Sequence, residues 1–187
     1  MKKIIAIVIL LALLSATSLG VADRNTLTGN ELPVALKAAI DRLSRETDIK
    51  LDVSMVVLIA DFKRWAKEHE AIHPGAYDEG KYFNGFICYH ADQYPYLPVY
   101  IRQDTEFWKN IMKLGKIPGE HVTQVIILAS LLVHERAWHA QGHRDEVGAL
   151  RTEEKFLQYF RGKGIFSGEN ADRYEEYVRQ GIKKNWQ

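Results

Sequence analysis

The chain has 187 residues, long enough for one domain with its own hydrophobic core. Its 25 basic side chains nearly balance 24 acidic ones and form no basic block, so nothing in the charge favours a nucleic-acid partner. The single cysteine, Cys88, excludes an internal disulfide, and its apolar, strand-like setting marks it as a buried, inert thiol rather than a nucleophile.

Taken in chain order, Met1-Lys2-Lys3 is a short basic start and Ile4 to Leu14 an unbroken apolar run. Small and polar residues follow, as far as Gly20-Val21-Ala22. This is the layout of a secretory signal peptide over residues 1–22, with Ala22 the last residue before cleavage. The run is too short to cross a bilayer comfortably, and no cysteine follows it to carry a lipid. The expectation is an exported protein, periplasmic or secreted, with no stable membrane insertion after cleavage; an uncleaved anchor is the alternative. Loss of Lys2 and Lys3 leaves 23 basic against 24 acidic side chains, a formal charge of −1. Residues 23–187 contain no repeat, low-complexity tract or Pro/Gly-rich linker, so they read as a single domain.

Asn30-Glu31-Leu32-Pro33 opens a helix with a cap-type residue and a first-turn proline; Leu36, Ile40 and Leu43 continue one apolar face. Leu51 to Trp65 is ambiguous. Met55 to Ile59 would suit a buried strand, but Phe62, Trp65 and Ala66 extend it at helical spacing, and helix is preferred. His73-Pro74-Gly75 breaks the pattern. Two aromatic-rich runs, Lys81 to Tyr89 and Leu97 to Arg102, read as strands, and Pro95 and Pro98 point to a sheet edge. A connection ends at Ile117-Pro118-Gly119. Glu120 to about Gln141 is the longest helical candidate, stopped by Gly142. Asp145 is a good N-cap for a helix to about Phe160, and Asn170 or Asp172 caps a last one. The fold class is α+β, mainly helical, with a small β-sheet.

Within HERAWHAQGHRDE, residues 134–146, three histidines and three carboxylates lie close together. A zinc hydrolase needs two neutral imidazoles on one metal, a third protein ligand and an open position for water. It also needs a carboxylate to take the proton of that water. H-E-x-x-H on a helix meets the first demand because residues four apart share a face. Here the histidines, His134 and His139, are five apart. Five steps of about 100° leave their side chains roughly 140° apart on a regular helix. A single-turn π-bulge would absorb the extra residue, and removing Arg136 on paper restores the motif. Glu135 and His139, four apart, would share a face without distortion; His139 and His143 are also four apart but straddle Gly142. The third ligand should come from just downstream, where Glu146 opens the next helix. Glu153 and Glu154 are substitutes, and Asp145 could hold an imidazole N–H.

Val133-His134-Glu135, Trp138-His139-Ala140-Gln141-Gly142, Asp145-Glu146-Val147-Gly148-Ala149-Leu150 and Phe156-Leu157 together resemble the active-site segment of small gluzincin-type metallopeptidases. Those enzymes carry an H-E-x-x-H helix and then a helix opening with an E-x-x-A pattern that supplies a glutamate ligand. The resemblance covers about residues 125 to 160, and more loosely a substrate-binding strand pair at residues 81 to 102. It implies a zincin-like domain hydrolysing peptide or protein substrates, with Zn2+ held by His134, His139 and Glu146 and with Glu135 as catalytic base. The edge strand Lys81 to Tyr89 would take substrate as an added strand. The inserted residue and the short interval between His139 and Glu146 depart from the pattern.

Two other readings stand beside this one. A zincin-like scaffold without productive metal geometry would be a binding or structural protein, and a metal-storage or sensing protein would use Glu135 and His139. Histidines at a helix C-terminus are also favourable in their own right, because an imidazolium complements the macrodipole. His69, His73 and His121 suit surface or capping roles, and His90 ends the first aromatic-rich strand. Tyr174 and Tyr177 are packing residues that could otherwise steady an oxyanion. Trp65 and Trp108 are core anchors.

Overall fold

The computed structural model describes residues 26–28, 34–47, 49, 54, 56–70, 85–87, 99–137 and 145–185. In chain order these form strand β1 (Thr26–Thr28), helix α1 (Val34–Thr47), strand β2 (Val56–Ile59), helix α2 (Phe62–His69), and strands β3 (Gly85–Ile87) and β4 (Val99–Arg102). Four helices follow: α3 (Glu106–Leu114), α4 (His121–Ala137), α5 (Glu146–Gly162) and α6 (Glu169–Asn185). The domain is α+β and mainly helical, with one small sheet, as its sequence implies. The segment 1–22, Cys88, His73, His90, His139 and His143 lie outside the described residues.

The sheet has the order β1-β2-β4-β3. β2 and β4 run parallel, with Val56 opposite Val99 and Leu58 opposite Ile101, while β1 and β3 add antiparallel on the two sides. Alternation along the strands divides the core. Val56, Leu58, Val99 and Ile101 join the main cluster with the helices, whereas Ile59 and Tyr100 pack with Phe62, Trp65 and Ala66 of α2. Trp65 is a core anchor as expected, stacked 4.7 Å from His69 and tilted against Tyr100 at 4.9 Å. His69 accordingly belongs to this packing and sits 2.8 Å from the Trp65 carbonyl through Nδ1. Trp108 is only partly buried against the main cluster.

Four expectations need correction. Within the apolar run, Val56–Ile59 is strand rather than helix, because a parallel strand covered on both faces is apolar throughout and loses its alternation. Helical spacing starts only at Phe62, where Asp61 caps α2 by accepting the Arg64 N–H. β4 is interior rather than an edge: its ladder begins at Val99, beyond Pro98, so neither proline interrupts it. The connection before Gly119 contains α3, capped by the Thr105 hydroxyl accepting from the Trp108 N–H at 3.1 Å. Finally, α6 begins at Glu169, so Asn170 and Asp172 lie inside its first turn.

Helix α4 is the centre of the fold. It packs against α1, α3, α5 and α6 on its flanks and against β3 and β4 of the sheet. All eleven residues from Val125 to Glu135 are buried, so this stretch of the helix shows no polar face to solvent. Only Ser130 interrupts the apolar run before His134. Among the described residues, no helix is long and apolar enough to cross a membrane.

Candidate functional site

The site forms where the C-terminal half of α4 meets the start of α5. Asp145 caps α5 as expected, accepting the Gly148 N–H at 2.6 Å. The cap fixes the direction in which the helix departs, and Ala149 and Leu150 are buried along it. Glu146 and Glu153, seven residues apart, fall nearly on one line of α5, since seven steps of about 100° come within roughly 20° of two full turns. Ser130 and His134, four apart on α4, likewise share a stripe.

His134 joins the two helices. Its Nε2 lies 3.4 Å from Oε1 of Glu146, and its Nδ1 lies 3.2 Å from Oε2 of Glu153. The imidazole is buried; the Glu146 side chain is 38% exposed, so the Nε2 side of the ring is the one nearest solvent. Glu153 lies deeper. Its Oε1 accepts the Tyr174 hydroxyl at 2.6 Å and has the Ser130 hydroxyl at 3.1 Å. Glu135 is also buried, one residue and about 100° round the helix from His134.

These neighbours set the charge of the ring. Burial by itself disfavours an imidazolium, but hydrogen bonds to Glu146 and Glu153 and the nearby charges of Glu135 and Glu153 outweigh it. The net result is a pKa well above the ordinary 6.5. Tyr174 is pushed well above 10 by burial, then by the charge of Glu153 and the hydrogen bond it makes there.

The donor set can be compared with what a metal requires. Two ligands about 2.0–2.1 Å from one tetrahedral ion stand roughly 3.3–3.4 Å apart. The 3.4 Å between His134 Nε2 and Glu146 Oε1 matches that spacing. A carboxylate on the other ring nitrogen is the arrangement that orients a ligating histidine, and Glu153 occupies that place. His134 and Glu146 therefore fit two positions of a zinc shell. Among the described residues, no group of three His, Cys, Asp or Glu side chains could hold a metal, and His139, the expected third ligand, lies outside them. Helix α4 is α-helical throughout His121–Ala137, so the expected π-bulge is not found within those residues.

Sequence reasoning pointed to His134, Glu135 and Glu146, and named Glu153 only as a substitute ligand. It missed Ser130, whose signal is a lone hydroxyl in an apolar helix one turn before the histidine. It assigned Tyr174 to packing, and the ring does lie in the main core cluster, but it did not foresee that the hydroxyl is directed at Glu153. Among known proteins, the chain matches no family model, and no curated protein or solved structure is significantly similar to it.

Proposed function

We propose that the protein is an exported zinc-dependent metallopeptidase, with zinc held by His134, His139 and Glu146. The observation that carries this reading is the line Glu153–His134–Glu146: a buried carboxylate on Nδ1, and a second carboxylate at ligand spacing from Nε2. Zinc would supply the Lewis acidity that makes a water molecule acidic near neutral pH. The chain's own part is to orient and to move a proton. Glu153 holds the ring so that Nε2 is presented, and the Glu135 carboxylate accepts the proton of the attacking water and returns it to the leaving amine. Strand β3 lies at one edge of the sheet and against α4, where an extended peptide could add as a further strand.

Elemental analysis of the untagged mature protein tests the reading. Near-stoichiometric zinc is expected, lost in His134→Ala and kept in Glu135→Gln, which should hydrolyse no peptide. Protein isolated without metal that takes up no zinc on addition would sink it.

A second reading is favoured by the regularity of α4 together with the same two contacts. His134 already has a carboxylate on each nitrogen without any metal, and α4 continues as a regular helix past Arg136. The chain would then be a zincin-like binding or structural protein closed by this ion pair. Deleting Arg136 should in that case create zinc binding that the parent lacks; a parent binding zinc as well as the deletion variant excludes it.

A further inference from the structure

We infer that Tyr174 and Ser130 are positioning residues that act through Glu153 to commit the Nδ1 proton of His134 and leave Nε2 facing Glu146. The inference rests on the reading of His134 as a ligand only for its consequence on metal affinity; the hydrogen-bond relay itself does not require a metal.

Proton counting assigns the relay. Among the described residues, the two oxygens of Glu153 have three polar neighbours: Tyr174 Oη at 2.6 Å and Ser130 Oγ at 3.1 Å from Oε1, and His134 Nδ1 at 3.2 Å from Oε2. The Ser130 hydroxyl has one proton and, among the described residues, three oxygens within reach, the others being the Ile127 carbonyl at 2.8 Å and Tyr174 Oη at 3.4 Å. Giving that proton to Ile127 would set the lone pairs of Ser130 against the carboxylate in a buried site. Giving it to Glu153 places it on the charged acceptor and leaves the Ser130 lone pairs facing only the neutral Ile127 carbonyl, the less costly of the two contacts. Tyr174 and Ser130 then saturate Oε1, which leaves Oε2 for His134. An acceptor at that position keeps a proton on Nδ1 in the imidazolium of the metal-free protein and also when Nε2 gives up its own proton, and it leaves Nε2 toward Glu146.

The phenol is fixed independently of this contact. Its ring packs 6.0 Å from Phe107 and stacks 5.9 Å from Tyr177. Helix α6 is tied to α5 by Arg161, which donates to Glu175 at 2.6 Å and to Asp172 at 2.7 Å. A carboxylate gripped from a third helix cannot rotate away from the histidine, and rigid support of this kind is what a metal ligand needs. It also explains why a buried helix otherwise apolar from Val125 to Val133 carries one serine.

The test is the exchange rate of the His134 Nδ1 proton, followed by NMR in the metal-free protein and assigned by its disappearance in His134→Asn. Tyr174→Phe and Ser130→Ala should each speed exchange, together roughly tenfold or more, which is the effect of losing a hydrogen bond on a local opening. Tyr177→Phe removes the same atom from the neighbouring, half-exposed ring and should leave the rate unchanged. Zinc titration of the double variant should show affinity weakened by about 10- to 100-fold, the usual cost of losing an orienting partner. Unchanged exchange in the double variant, or equal acceleration in Tyr177→Phe, overturns the relay. If Tyr174→Phe fails to fold, Ser130→Ala, the smaller change, carries the same comparison. Should the parent bind no zinc, the metallopeptidase reading falls, and proton exchange still decides for or against the relay.

Discussion

Raising the pH should weaken the metal-free protein, with His134 as the cause. The unfolded chain releases the imidazole proton near 6.5, whereas the fold keeps it to a well higher pH because Glu146 and Glu153 outweigh the effect of burial. A group whose pKa is raised by folding stabilises the native state fully below its unfolded pKa. That stability is lost as pH climbs from the unfolded value through the folded one. Within the window, one proton separates the two states, so each pH unit removes about 1.4 kcal/mol. Urea unfolding from about pH 5.5 to about pH 9 measures the effect, with His134→Asn as the reference that cannot titrate. The difference between the two proteins should be level below about 6.5 and then fall by about 1.4 kcal/mol per unit. A difference that stays level across the whole range would refute the view that two carboxylates hold this buried ring as a cation. Saturating zinc should reverse the trend, because metal and proton compete for Nε2 and affinity rises with pH.

Tyr174 extends the same logic to alkaline pH: burial and the adjacent Glu153 charge raise its pKa. Stability should therefore fall again above about pH 10, a limb absent from Tyr174→Phe in the same titration. Phe160 is fully buried and meets Phe156 edge-on at 5.1 Å; Phe160→Ala should cost about 3–5 kcal/mol in a denaturant melt. Two glycines where an added methyl group would meet only open space should respond with opposite signs in the same melt. Gly119 has φ +87, so Gly119→Ala destabilises by about 1–2 kcal/mol, while Gly162→Ala, at the end of α5, gains up to about 1 kcal/mol.

Features under local chemical control could be read from the order of residues. The Asp145 cap and the helix after it, the long apolar helix ending in the histidine–glutamate pair, and the mainly helical class were all legible, because capping and periodicity act within a few residues. The nearness of His134 and Glu146 was legible too, since Glu146 directly follows the Asp145 cap and opens the helix next in the chain after the one that carries His134. Tertiary structure alone decided the rest. Val56–Ile59 became a strand because a parallel partner and two covering layers were available, which a uniformly apolar run cannot signal. β4 became interior through its pairing with β2 and β3, not through any residue of its own. The meeting of Ser130, Glu153 and Tyr174 spans 44 residues. It depends on three helices packing together, and no spacing rule reaches that far: long-range contacts are set by which apolar faces bury one another, and polar groups are carried to their partners by that burial.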